Sequence, residues 1–77
     1  MRTDLMPFAV RLLQMQSENK INTNRLAAET KISTSCLYSF ARGDTLPDFR
    51  TLVKLAERFD VSLDWLCGLI DERKSLK

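Results

Sequence analysis

In this 77-residue chain, apolar residues recur at three- and four-residue steps in five short segments, and nearly every segment opens on a side chain suited to start a helix. Ser33 stands before TSCLYSFAR, and Gly43 follows it as a left-handed stop. This third segment reaches Ala41 or Arg42. Asp48 opens the fourth segment, which ends near Phe59 and carries Phe49, Leu52, Val53, Ala56 and Phe59 on one side. Ser62 opens the fifth, with Val61 placed to staple onto Leu66. The second runs from about Asn24 to Thr30, with Asn22 or Thr23 as its cap and Leu26 and Ala27 facing inward. The first runs from about Met6 to Glu18 on Phe8, Leu12 and Met15, with Leu5 a further core candidate and Pro7 in the first turn.

No alternating strand pattern competes, so the fold class is all-α, a compact five-helix domain. Only two Gly and two Pro are present, and no repeat or linker divides the chain. Residues 1–77 read as one domain, with a core of about 6–70 and a charged tail, 71–77, expected to fray. A chain this size supplies about 3–5 kcal/mol of net stability from one core unless packing is economical or a partner contributes.

Composition excludes several functions. There is no His, which removes histidine-based acid–base chemistry and ordinary Cys/His zinc spacings. No Gly-rich phosphate loop, nucleophile–base pair or paired carboxylates appear, so neither an enzyme nor a cofactor or metal is expected. Cys36 and Cys67 read as small core-facing residues, with oxidant sensing the alternative for Cys36. No apolar run approaches the roughly 18 residues of a membrane span. MRTDLMPF carries Asp4 and lacks a signal-peptide apolar stretch, so a cytoplasmic location is expected. The net charge of +2 is too small to imply nucleic acid by itself.

The stretch INTNRLAAETKISTSCLYSFARG resembles the helix-turn-helix of the lambda-repressor/Cro-like family, also called the XRE family. Phe8, Arg11 and Leu12 match that family's first-helix F-x-x-R-L. LPDFRTLVKLAERFDVSLDWLCG matches its closing segment through Pro47, Leu52, Leu55, Ala56, Val61, Ser62, Trp65 and Leu66. The resemblance spans residues 8–69. It places Ala27 at a close helix crossing and makes Ile32 and Leu37 plugs between the helices. Two departures stand out. Lys20 and Lys31 replace family glycines of positive φ, at a cost on the order of 1 kcal/mol each if left-handed. Gln16 and Ala41 stand where the family often pairs Arg with Glu.

With Leu37 at the centre of the buried side and 100° per residue, Ser35, Tyr38, Ser39 and Arg42 fall outward and Thr34 projects from the first turn. Cys36 lies at the other flank, and Ser33, Phe40 and Ala41 fall inward. The resemblance implies that the third helix enters the major groove of double-stranded DNA and the second crosses the backbone. Thr34, Ser35, Tyr38 and Ser39 are then base-contacting candidates. Asn22, Thr23, Asn24, Arg42 and Arg50 are backbone-contacting candidates, with Asp44 an unfavourable charge in the same region. Short hydroxyls lack the bidentate pairing worth about 1–3 kcal/mol per base, so selectivity is expected to lean on Tyr38, bridging water and DNA shape.

The resemblance further implies a homodimer on a two-fold operator. Leu69 and Ile70 are the expected interface. Leu76 is a further candidate, and Trp65 and Leu66 are better placed in the core. With no C-terminal peptidase-like domain, the chain resembles the small phage Cro or compact repressors, which do not self-cleave. The alternative is a protein-interaction module, such as an antirepressor or an antitoxin, whose partner is a regulatory protein.

Overall fold

A computed structural model describes residues 5–75, with side chains from Pro7 onward. The Leu5 side chain and Leu76, both named from the sequence, lie outside the described residues. The elements are α1 (Leu5–Glu18), α2 (Thr23–Thr30), α3 (Thr34–Arg42), α4 (Phe49–Phe59) and α5 (Leu63–Leu66).

Each helix after the first starts on a side chain that satisfies an otherwise orphaned amide. Asn22 Oδ1 accepts from Arg25 N at 2.8 Å, which settles the cap of α2 in favour of Asn22 over Thr23. Ser33 Oγ accepts from Cys36 N at 3.1 Å, Asp48 Oδ1 from Thr51 N at 2.8 Å, and Ser62 Oγ from Trp65 N at 3.2 Å. The stops of α2, α3 and α4 are left-handed. Lys31 ends α2 at φ 61°, Gly43 ends α3 at φ 81°, and Asp60 ends α4 at φ 55°. Lys20, in the turn after α1, has φ 52°. Both lysines thus adopt the conformation expected of the glycines they replace, and Asp60 adds a third left-handed residue that is not glycine.

α1 packs on α3 and α5, α2 on α3 and α4, and α4 on α5. The space between them is filled by Phe8, Leu12, Met15, Ile21, Leu26, Ile32, Leu37, Phe40, Leu55, Ala56, Phe59, Val61, Trp65 and Leu66. Phe8 meets Phe40 edge-on, with ring centroids 5.8 Å apart. Ala27 packs at the core margin, where a small side chain lets α2 cross its neighbours. Gln16 Nε2 points toward Ile21 O at 3.4 Å and Thr23 Oγ1 at 3.3 Å, a neutral link between α1 and α2.

Four readings of the sequence need correction. Phe49 is 72% exposed although it shares a stripe with Leu52, Ala56 and Phe59. It is the first residue of α4, so its side chain projects beyond the end of the core; Leu55 is fully buried on that helix instead. Cys36 is exposed rather than core-facing, since Leu37 and Phe40 take the inner face of α3. Ser33, placed on the inner half by the wheel, is exposed, because a cap sits outside the helix it starts.

The fourth correction concerns the tail. Residues 70–75 lie fastened along α1 and α5. Arg11 Nη1 donates to Trp65 O and, at 2.8 Å, to Ile70 O. Arg73 Nη1 donates to Glu18 Oε1 at 2.8 Å, Ser62 N to Lys74 O at 2.7 Å, and Ser75 Oγ to Asp60 Oδ1 at 3.1 Å. Trp65 lies under two guanidinium groups, Arg11 at 4.8 Å and Arg73 at 5.4 Å from its ring centroid. Charged residues expected to be solvated act here as straps, because each carries an apolar stem and a directional donor.

Candidate nucleic-acid interface

α2 and α3 are short helices of eight and nine residues joined by the turn Lys31-Ile32-Ser33. Ile32 is buried in that turn and Leu37 beneath α3, so the relative placement of the two helices is fixed from inside. Outward, α3 presents Ser35, Tyr38 and Arg42 as exposed residues, with Thr34 and Ser39 half-buried. Tyr38 is 49% exposed, the most accessible aromatic side chain on α3.

Two of these side chains are engaged by the loop that follows. Gly43 N donates to Phe40 O and Asp44 N to Ser39 O, both at 3.0 Å, so the chain doubles back beside α3. Thr45 Oγ1 then lies 2.9 Å from Ser39 Oγ, and Asp44 Oδ2 accepts from Arg42 Nε at 2.8 Å. Thr45 was not singled out from the sequence. Its place six residues after Ser39, just past a glycine stop, is the signal that could have found it.

Apart from Arg42 at the end of α3, the expected backbone contacts sit at helix starts. Asn22 and Asn24 are exposed and Thr23 half-buried, at the N-terminus of α2 where amide N–H groups favour an anion. Arg50 is exposed in the first turn of α4. Asp48 in the same turn has its pKa lowered, first by the Thr51 backbone N–H, then by the Thr51 hydroxyl, and less by the charges of Arg50 and Lys54. Its charge is therefore directed into capping.

One group of apolar surface residues lies elsewhere, while Val10 and Leu13 of α1 are exposed as well. Leu69 is 75% exposed, beside an open groove of about 500 Å³ whose walls are Pro7, Phe8, Leu46, Pro47, Leu52, Cys67, Gly68 and Leu69. Ile70, expected to be exposed with Leu69, is instead half-buried and packed against the core. The Arg11 strap holds its carbonyl and turns the side chain inward. Leu46, at 50% exposed, adds to the apolar surface of that groove and was not foreseen.

A pair of short helices crossing over a three-residue turn, the second with one buried and one polar face, is a helix-turn-helix. Comparison with known proteins agrees. The family described as "Helix-turn-helix domain" matches residues 9–72. The chain is 33% identical over 76 residues to the uncharacterized HTH-type transcriptional regulator YobD of Bacillus subtilis (strain 168), covering 91% of this chain and 68% of that protein. No solved structure gives a significant match. The chain belongs to the XRE-type helix-turn-helix family. Among the described residues no helix is long and apolar enough to cross a membrane.

Proposed function

We propose that this chain is a sequence-specific double-stranded DNA-binding transcriptional regulator that acts as a homodimer on a two-fold operator. The observation that carries the reading is the outward side of α3, polar and accessible over Thr34, Ser35, Tyr38, Ser39 and Arg42, in a chain of this family. The relative from Bacillus subtilis, named as a transcriptional regulator, supports it.

In this reading the N-terminal half of α3 lies in the major groove. Thr34 and Ser35 meet base edges first, Tyr38 adds a flat amphipathic ring, and Ser39 acts with Thr45 as a hydroxyl pair. Arg42, Arg50 and the Asn22–Thr23–Asn24 start of α2 hold phosphates on either side. Hydroxyls accept and donate without the directional fork of an amide or guanidinium, so each half-site carries modest selectivity. Two copies restore it, meeting through Leu69 and the groove beside it.

Selection of binding sites from random duplexes, followed by gel shift, tests this directly. The selected sites should be two-fold symmetric, and affinity should fall steeply with added salt as counterions are released. Ser35→Asp, which sets a carboxylate against the duplex, should abolish binding while leaving the melting temperature unchanged. A Ser35→Asp variant that binds normally would remove α3 from the groove.

A further inference from the structure

Most arginines of this domain are already paired within the molecule. Among the described residues, Arg11, Arg25, Arg42, Arg58 and Arg73 each meet a carboxylate, whereas Arg50 meets none. The other pairs have architectural roles. Glu29 holds Arg25 within α2 and Arg58 of α4, while Glu18 and Asp71 fasten the tail to α1.

Arg42–Asp44 joins no two helices. The partners are two positions apart, and their side chains are 62% and 56% exposed. An exposed pair of this kind contributes little to stability. Its position is what sets it apart, since Arg42 is the only cation that α3 carries. Asp44 is also fixed in place. Its amide donates to Ser39 O at 3.0 Å behind the left-handed Gly43, so its carboxylate stays beside the end of α3.

We propose that Asp44 is a built-in counter-charge to Arg42 that restrains sequence-independent phosphate binding. The inference rests on the DNA-binding reading and deepens it. A phosphate approaching Arg42 either displaces Asp44 or shares the guanidinium with a second anion, and both reduce the attraction. The domain then depends on the hydroxyl side of α3 to distinguish a site. A weakly reading helix gains most from this, because unrestrained phosphate contacts would favour every duplex alike.

The test uses the full chain and two fluorescent duplexes, one of random sequence and one obtained by selection, titrated across salt concentrations. Asp44→Asn should bind the random duplex about five- to tenfold tighter near about 0.1 M salt, with a slope of log affinity against log salt steeper by about 0.9, one further counterion released. Asp44→Ser, which removes the charge with a different side chain, should show the same gain. Arg42→Ala combined with Asp44→Asn should lose it and match Arg42→Ala alone. Unchanged or weaker binding by both Asp44 variants overturns the proposal. So does a gain that survives Arg42→Ala, which would make the effect one of net charge. Wild-type protein without affinity for either duplex overturns the DNA-binding reading itself, an outcome distinct from tight wild-type binding that the Asp44 variants leave unaltered.

Discussion

Single side chains in this domain act chiefly by where their hydrogen bonds end. Three carboxylates illustrate this. Asp48 is held ionised chiefly by the Thr51 backbone N–H, Glu29 by hydrogen bonds from Arg25 and then Arg58, and Glu18 by Gln14 and then Arg73. All three have lowered pKa values in the folded state. Their contribution is therefore complete above the ordinary carboxylate range, and it is lost as pH falls through that range toward the folded values. Thermal melts across a pH series should be flat near neutrality and decline on the acid side. Asp48→Asn keeps an acceptor for Thr51 N but cannot be protonated, so its melting temperature should decline less steeply with acid; equal slopes would show that the cap is not a titrating contributor. Lys20 and Lys31 were legible at this scale because the resemblance marks their places as turns, and only a left-handed backbone closes them. The Ser39–Thr45 and Arg42–Asp44 pairs were not legible, since they depend on how the chain reverses after Gly43.

At the scale of the helix, the starts of α3, α4 and α5 were read from a short polar side chain before an apolar period, while at α2 the sequence left Asn22 and Thr23 open. Asn22, Ser33, Asp48 and Ser62 all cap as their chemistry requires. Phase along a helix was less reliable than its limits. On α4, the stripe through Phe49 and Ala56 suggested a core role for both, but a stripe does not reveal where the neighbouring helices stop. Leu55→Ala should cost about 2–5 kcal/mol in denaturant unfolding, whereas Phe49→Ser should change stability by no more than about 0.5 kcal/mol. Comparable losses in the two variants would mean that Phe49 is covered in solution. α5 carries the same lesson, since Ser62 begins it as expected but only Leu63–Leu66 follow before the chain turns away.

For the molecule as a whole, the order of elements and most of the core were legible: Phe8, Leu12 and Met15 hold the positions their periodicity assigns, Leu37 the place the resemblance gives it, and Leu66 the place of the staple to Val61. The tail was not. Its composition is that of a solvated end, and its fixed course comes from contacts distant in sequence, the stacking of Arg11 and Arg73 on Trp65 together with the hydrogen bonds to Ile70 O, Glu18 and Lys74 O. That course sets Ile70 inward and leaves Leu69 outward, so the expected pair of contact residues divides into a core residue and a surface one. Leu69→Asp should therefore yield a monomer by sedimentation equilibrium and weaken binding to a two-fold site more than to an isolated half-site. A dimer that withstands this change must be held through another surface.

Trp65 is the only tryptophan in the chain, and it is buried beneath the guanidinium groups of Arg11 from α1 and Arg73 from the tail. Its indole consequently serves as a native optical reporter. Emission from this one ring registers whether the last stretch of chain is seated, with no dye attached and no competing chromophore of its kind. Detachment of that stretch and melting of the core become separable events that can be followed by light alone.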